Sequence, residues 1–502
     1  MLTETNNMNT EEMLTNPETV YEKPKEKPVY GRAECVVSAL VFLFAVLFMR
    51  FVVFNITGII SSLLYIAIIT TAIVYLRKKE YAFSGFNKAL TVVLYVFSLV
   101  FSITDNGFIK FLDCLFLFGA GAYLVFSVCS GRDSIDRYLP YALKRSVLEH
   151  PFAEFRTQSA ILSDSAKDSS TSANIKRMLL GLFLTIPVTV IVAQLLMQAD
   201  DGVDRLLTGF FDSFFTDEMW IFLVQVLMAI PCSFYLFGMF YSNIYRRKVG
   251  DLTAAECDGK LRQKRTISNL IFYSAAAPVL ILYVIFFISQ ASYFLSAFMG
   301  RLPEEFSYAE YARKGFFELC WIVVINLGIM IIMNLHSTNS GEEKSAALKI
   351  YNVIFCVFTL ILIATALSKM VMYIDAYGLT KLRVYTTWFM VLCAFIFLLV
   401  LIKQFNPQLY IAKWISVGFT LMFAILCFSR PEACIVKYNH AMNKLSVVEE
   451  IYMSDLRDMS DDGMLAAVNE GVLTLEQAQG YNYHGNHATD NLNISTLILE
   501  NK

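Results

Sequence analysis

Of the 502 residues, 56% are hydrophobic and 17% are charged, and the formal net charge is −2 at pH 7. This composition excludes an ordinary soluble globular domain, in which about a quarter of the residues are charged. The near-zero net charge gives no reason to expect a nucleic-acid partner.

Apolar blocks of about 20 residues recur along the chain, and a helix of that length crosses about 30 Å of hydrocarbon. About eleven such blocks predict an all-α, polytopic integral membrane protein whose surrounding partner is the lipid bilayer. The predicted spans are Cys35–Phe54, Thr57–Leu76, Leu90–Ile103, Phe108–Cys129, Met178–Gln198, Trp220–Tyr241, Leu270–Gln290, Phe316–Asn334, Leu348–Tyr373, Leu382–Ile402 and Ile411–Phe428.

Basic residues are concentrated in alternate connections between these spans. They include Arg77-Lys78-Lys79, the Arg132–Arg177 connection and Arg246-Arg247-Lys248, whereas the intervening connections contain few such clusters. Because basic loops stay in the cytoplasm, the N-terminus is predicted to be cytoplasmic. An odd number of spans then places the C-terminus outside the cytoplasm.

Composition divides the chain into five predicted parts. The second and fourth are membrane portions of four and seven spans, and the third contains a predicted interfacial helix, Ile135–Leu148, and a Ser/Asp/Thr-rich linker, Ser163–Ala173. The parts are a disordered cytoplasmic tail (1–32), a four-span N-terminal portion (33–130), a cytoplasmic connection (131–176), a seven-span core (177–430) and an extracytoplasmic, acidic helical tail (431–502).

An amphipathic pattern follows the fifth predicted span at residues 201–216. Its apolar residues recur at helical spacing from Val203 to Phe215, while Asp201, Asp204 and Asp212 occupy the opposite face. Such a helix is predicted to lie flat on the outer leaflet. Alternatively, its phenylalanine face packs on neighbouring spans and its acids line a vestibule.

A polar and aromatic segment, 302–319, separates two long apolar runs. Ser307 and Glu310 have the spacing of a capping box, so a helix is predicted to begin near Tyr308. The pattern continues past Gly315 into the eighth span, and the same helix would carry Glu318 into the hydrocarbon.

The predicted topology brings unusual polar residues to one depth at the outer face. Candidates for ligand binding or ion pairing are Asp200, Glu310, Tyr311, Arg313, Glu318, Asp375, Tyr377, Lys381 and Arg383. Glu318 is the most informative, because a carboxylate about one turn below the interface is costly unless it faces a partner or water. One interpretation is an ion-pair lock of Glu318, Arg383 and Asp375 between spans eight, nine and ten. The other is a ligand or proton site.

Signals for catalysis or metal binding are weak. Most cysteines lie in apolar runs without a C-x-x-C pair, and His484-x-x-His487 has no adjacent cysteine. No nucleophile-elbow, Walker or H-E-x-x-H motif occurs in a usable context. We therefore predict no catalytic residue, no metal site and no cofactor.

Four blocks in order resemble a bacterial family of multi-pass membrane proteins, the domain of unknown function of the DUF4173 or DUF4153 type. They are residues 181–200, residues 290–319 with Tyr308-Ala-Glu-Tyr-Ala-Arg313, Tyr377-Gly-Leu-Thr-Lys-Leu-Arg383, and Arg430-Pro-Glu-Ala-Cys-Ile-Val-Lys-Tyr-Asn439. The resemblance covers about residues 177–470, and Glu305 stands where the family has a glycine. It implies a bacterial cell-membrane location and supplies no activity, substrate or cofactor.

Three functions from different classes remain open. The first is a non-enzymatic protein that binds, senses or scaffolds at the extracytoplasmic face, with a possible cytoplasmic or membrane protein partner. The second is a secondary transporter, favoured by the mid-span prolines and by Glu318. The third is an enzyme acting on a lipid-linked substrate, for which Glu318 and Asp375 are the only suggested acid/base pair.

Overall fold

A computed structural model describes residues 30–55, 57–165, 217–298, 316–338, 346–442, 458–482 and 493–501, together with positions 192, 196, 200, 202 and 456. Within these ranges the chain forms helices and contains no strand. The only β-type pairing there is an isolated bridge between Ile267 and Ser337.

Nineteen α-helices and two π-helical turns follow one another in the described ranges. In chain order they are α1 (Arg32–Phe48), a π-helical turn (Met49–Phe54), α2 (Ile59–Lys78), α3 (Gly85–Ser98), α4 (Val100–Ile103), α5 (Gly107–Cys129), α6 (Leu139–Lys144), a π-helical turn (Arg145–Glu149), α7 (His150–Ala153), α8 (Thr157–Ser165), α9 (Asp217–Tyr245), α10 (Ala254–Lys264), α11 (Asn269–Phe298), α12 (Phe316–His336), α13 (Ala346–Tyr377), α14 (Lys381–Phe405), α15 (Ile411–Phe428), α16 (Pro431–Ala441), α17 (Asp461–Asn469), α18 (Leu475–Asn482) and α19 (Ile494–Asn501).

Ten helical stretches in the described ranges are long and apolar enough to cross a membrane, and they confirm ten of the predicted spans. The third begins at Gly85, five residues before its predicted start, because the Ser84 hydroxyl caps it by accepting from the Asn87 backbone N–H. The fifth predicted span and the amphipathic pattern at 201–216 lie outside the described residues, apart from isolated positions. The chain is an all-α polytopic membrane protein.

The first helix cluster consists of α1 to α5, α9 and α15. Its buried core includes Leu76, Phe101, Tyr241 and Phe423. The rings of Phe97 on α3 and Phe423 on α15 stack with centroids 5.6 Å apart. The packing therefore crosses the domain boundary predicted at residue 177, because the last span returns to the first four.

The second helix cluster consists of α11 to α14 and is tied together by buried polar side chains. The Tyr283 hydroxyl donates to Asn326 Oδ1 at 2.5 Å, and Asn326 Nδ2 donates to Thr359 Oγ1 at 2.8 Å. Asn334 and Asn352 exchange amide hydrogen bonds of 3.0 and 3.2 Å. Such bonds join helices directly in hydrocarbon, where water offers no competing partner.

The predicted cytoplasmic connections meet at one end of the bundle, which we call the basic end. Lys79 donates to the Tyr245 hydroxyl at 3.0 Å, and Arg145 donates to Glu256 at 2.7 Å. The predicted interfacial helix of the 131–176 connection occurs later than expected, as the continuous helical stretch from Leu139 to Ala153. Basic clusters from three separate connections therefore share one surface.

Part of that connection enters the bundle. We call residues 151–162 the inserted segment, which packs between α1 and α9. Gln158 donates to the Ser38 carbonyl at 3.0 Å and accepts from the Ser233 hydroxyl at 2.9 Å, and Ile161 is fully buried. Ser233 lies twelve residues before the end of α9, which is about 18 Å along the helix axis. The predicted cytoplasmic connection is therefore partly embedded among the spans.

His150, at the start of α7, is a buried histidine that makes the stability of the folded protein depend on pH. The pKa of His150 is lowered from 6.5 to about 4, chiefly by burial and also by the charges of Arg145 and Arg246, while Glu149 and Asp251 oppose the shift. Its Nδ1 lies 2.9 Å from the Ser242 hydroxyl oxygen. His150 is therefore neutral in the folded protein at pH 7.

Because the unfolded chain binds a proton at His150 near pH 6.5 and the folded chain only near pH 4, the unfolded state holds more protons between these values. Stability should then fall as the pH is lowered through this window, by on the order of 3 kcal/mol in total, with no contribution from His150 above it. Melting temperatures of the purified protein between pH 7.5 and 4.5 measure this. His150→Gln should show a shallower dependence, and parallel curves would contradict the assignment.

Candidate functional site at the tail end

The C-terminal helices dock onto the end of the bundle opposite the basic end, which we call the tail end. Helices α17 to α19 share a buried core with α16, formed by Ile435, Val436, Met464 and Ala467, and partly buried Leu379 and Val384 pack against it. Ser460 is the N-cap residue of α17. The tail is therefore packed on the ends of the spans that lie away from the basic end.

Glu432 is the first of two buried carboxylates that fix this docking. Arg430, with φ of +50°, turns the chain out of α15, and Pro431 then begins α16 and places Glu432 in its first turn. Glu432 is 2% exposed. It accepts hydrogen bonds from the Asn106 side chain and from the Ser460 hydroxyl, the latter at 2.6 Å, and its Oε1 lies 3.4 Å from the Lys381 ammonium.

Asp462 is the second carboxylate, and it is 1% exposed. Its Oδ2 accepts from the Thr104 hydroxyl at 2.5 Å and from the Asp105 backbone N–H at 3.0 Å. Its Oδ1 accepts from Arg430 Nε at 3.0 Å and from the Ser495 hydroxyl at 2.6 Å. We call the groups around Glu432 and Asp462 the tail junction. It joins the α4–α5 loop, the α15–α16 turn, the start of α14 and the tail.

A cleft of about 380 Å³ lies beside the tail junction. The Lys381 side chain is 35% exposed there, and its ammonium donates to the Asp458 carbonyl. Asn439 also lines the cleft, with its amide paired to both backbone groups of Leu379 at 2.7 and 2.9 Å. The lining residues are Leu379, Thr380, Lys381, Leu382, Asn439, Asp458 and Met459.

Three further predicted site residues lie near this cleft. Gly378, with φ of +77°, follows Tyr377, the last residue of α13, in a left-handed conformation that ends the helix. Arg383 donates to the carbonyls of Tyr377 and Gly378, and its guanidinium lies 3.8 Å from the centroid of the Tyr373 ring. Asp375 belongs to the last turn of α13. Arg383 therefore caps the carbonyl end of α13.

The structure does not bring Glu318 into this arrangement. Glu318 lies in the first turn of α12 and is exposed. Among the described residues, no ion pair joins it to Lys381 or Arg383. Asn326, eight residues later on the same helix, is fully buried in the second cluster. A role for Glu318 as a site residue stays a prediction.

Of the four remaining candidate residues, the structure describes one. Asp200 is exposed, and its Oδ1 accepts from the Gly202 backbone N–H at 2.8 Å. Glu310, Tyr311 and Arg313 lie outside the described residues, as does the capping box at Ser307.

Glu432, Asp462, Asn106 and Thr104 were not predicted as site residues. A signal for Glu432 was present, since Arg430-Pro-Glu432 belongs to one of the four blocks that carry the family resemblance. Nothing in the local pattern pairs residue 104 with residue 462, because their contact depends on where the tail docks.

The chemistry of the tail junction is that of a fixed charge cluster. Both oxygens of Glu432 and of Asp462 accept hydrogen bonds from protein donors, so neither carboxylate is poised to take a proton from a substrate. In the part of the chain that the structure describes, no group of three or more His, Cys, Asp or Glu side chains is arranged to hold a metal ion. The arrangement is suited to holding elements together and to binding beside Lys381.

Comparison with known proteins places the chain in a family. The model of the domain of unknown function DUF4153 matches residues 91–469, about three quarters of the chain. The match begins in α3, well before residue 177, so it includes part of the four-span portion that the sequence resemblance left out. No curated protein and no solved structure is significantly similar to the chain. The chain belongs to the DUF4153 family.

Proposed function

We propose that this protein is a non-enzymatic binding protein of the bacterial cell membrane whose ligand site is the cleft beside Lys381, at the extracytoplasmic face. The observation that carries the proposal is the cleft itself, about 380 Å³ in volume, built on a junction of buried carboxylates. The basic clusters gather at the opposite end of the bundle, which supports an outward orientation of the cleft.

Several features make binding a better account than transport. The described mid-span prolines, Pro231 and Pro278, lie inside the long continuous helices α9 and α11, so they do not break their helices as transport sites often require. Glu318 is exposed rather than paired in the bundle core. Lys381, in contrast, combines partial exposure with a fixed position, which suits recognition of a small polar ligand with an anionic group.

The test compares ligand-induced stabilisation in two lysine variants at the same end. Thermal melting of the full chain in nanodiscs is measured with amino acids, sugars, nucleotides and inorganic phosphate, each at millimolar concentration. A binding compound should raise the melting temperature of the wild type and of Lys437→Met, whose lysine is exposed on α16, but not of Lys381→Met.

Equal stabilisation of Lys381→Met and wild type would contradict the assignment to this cleft. Accumulation of the same compound in proteoliposomes would favour the transporter instead. Hydrolysis or transfer of a lipid-linked substrate by the purified chain would favour the enzyme.

A further inference from the structure

An apolar cavity of about 190 Å³ lies inside the first helix cluster, between α1, α2, α3, α5 and α9. Its walls include Ile69, Leu94, Leu117 and Leu124, which are between 1% and 7% exposed. This cavity shares no lining residue with the cleft at the tail junction, and its walls are apolar where that cleft has polar residues.

The two tyrosine hydroxyls in the cavity wall already have hydrogen-bond partners. The Tyr65 hydroxyl donates to Cys114 Sγ at 3.0 Å, and the Tyr235 hydroxyl donates to the Val147 carbonyl at 2.6 Å. A polar ligand would lose its hydrogen bonds to water on entering and would gain few in return. The cavity is therefore suited to hydrocarbon.

The position of the opening determines which molecules can reach the cavity. Leu115 and Phe118 line it and are 53% and 42% exposed, so the cavity extends to the outer surface of the bundle there. They are the ninth and twelfth residues of the 23-residue helix α5, close to its middle. An opening at the middle of a span faces the bilayer core, where the available molecules are lipid chains.

We propose that this cavity binds the hydrocarbon chain of a bilayer phospholipid, which enters sideways between Leu115 and Phe118. An apolar cavity of about 150 Å³ in another protein takes up benzene, so this one has room for the terminal part of an acyl chain. A bound chain supplies the van der Waals contacts that the walls otherwise lack. This inference is independent of the ligand site beside Lys381.

Two glycines of α5 provide a matched test. A Cβ atom added at Gly121 or at Gly119 meets nothing within 4 Å, and only Gly121 belongs to the cavity wall. Gly121→Leu should therefore fill the cavity, while Gly119→Leu makes the same change two residues away. Both variants are first checked for wild-type elution and melting, and Gly121→Ala replaces Gly121→Leu if the larger side chain prevents folding.

The full chain is reconstituted in nanodiscs of phosphatidylcholine with a diazirine at the end of one acyl chain, irradiated, and digested for mass spectrometry. In wild type and Gly119→Leu, adducts are expected on buried Leu94, Leu117 and Leu124 as well as on exposed Leu115. In Gly121→Leu, adducts on the buried residues should fall at least about tenfold while those on Leu115 remain. Adducts confined to exposed residues in the wild type, or unchanged buried labelling in the folded Gly121 variant, would overturn the proposal.

Discussion

Replacing Glu432 by alanine is expected to detach the C-terminal tail from the bundle. The change leaves the buried Asn106 amide and the Ser460 hydroxyl without their acceptor, and it removes the carboxylate that pairs with the partly exposed Lys381 ammonium. Each buried donor left without a partner typically costs about 1–3 kcal/mol. We expect a large drop in melting temperature and faster hydrogen exchange in α17 and α19, both measurable on the purified protein.

Asp458→Ala is the matched control for this effect. The Asp458 side chain is exposed, and its contact with Lys381 uses the backbone carbonyl, which the substitution keeps. Its melting temperature should stay close to that of the wild type. A Glu432→Ala protein with wild-type melting and a protected tail would show that the tail junction does not hold the tail.

Replacing Gly238 by alanine is expected to destabilise the protein, although glycine-to-alanine changes within helices usually stabilise. A Cβ atom at position 238 would overlap the carbonyl oxygen of Pro151 and lie 3.3 Å from the carbonyl carbon of Glu154, both backbone atoms of the inserted segment. Overpacking of this kind typically costs about 1–3 kcal/mol. Thermal melting measures the loss.

Replacing Gly328, in α12, by alanine is expected to have the opposite effect and stabilise the protein. A Cβ atom there meets nothing within 4 Å, so Gly328→Ala should gain about 0.5–1 kcal/mol from reduced chain entropy and improved helix propensity. Opposite signs for the two alanine variants would support the packing of the inserted segment against α9. A stabilised Gly238→Ala protein would contradict it.

The spans could be predicted from sequence because each is a local block of apolar residues, and the length of a block determines whether it crosses the bilayer. Their grouping could not be predicted in this way. The stack of Phe97 on Phe423 joins residues more than 300 positions apart, and both lie in blocks that look alike in composition. For the same reason, the sequence predicted a membrane portion made of the first four spans alone. In the structure, α9 and α15 pack with those spans.

The inserted segment was missed for a different reason. Residues 151–162 contain polar side chains such as Glu154, Thr157 and Gln158, which predict an aqueous loop, yet all three are at most 6% exposed. Gln158 bonds to Ser38 and Ser233 on neighbouring spans, and Glu154 pairs with Lys248 from a distant connection. The sequence of the segment alone does not contain those partners.

The candidate site was predicted in part. Lys381, Tyr377 and Arg383 were selected from their place in the topology, and the structure locates them beside a cleft, whereas the carboxylates that organise that end come from residues 432 and 462.

The α4–α5 loop and Arg430 are in contact, so both lie on the same side of the membrane. The chain between them must therefore cross the membrane an even number of times. Seven described spans lie in that interval, and the predicted span at Met178–Gln198, outside the described residues, would be the eighth.

The accessibility of Cys434 tests the central claim, that the tail end faces away from the cytoplasm, most directly. All ten cysteines are described, and Cys434 on α16 is the only exposed one. A membrane-impermeant maleimide applied to intact cells should label the wild type and not Cys434→Ser, and Arg262→Cys in the Cys434→Ser background should react only after permeabilisation. Labelling of Arg262→Cys in intact cells, with Cys434 protected until the membrane is opened, would contradict the account.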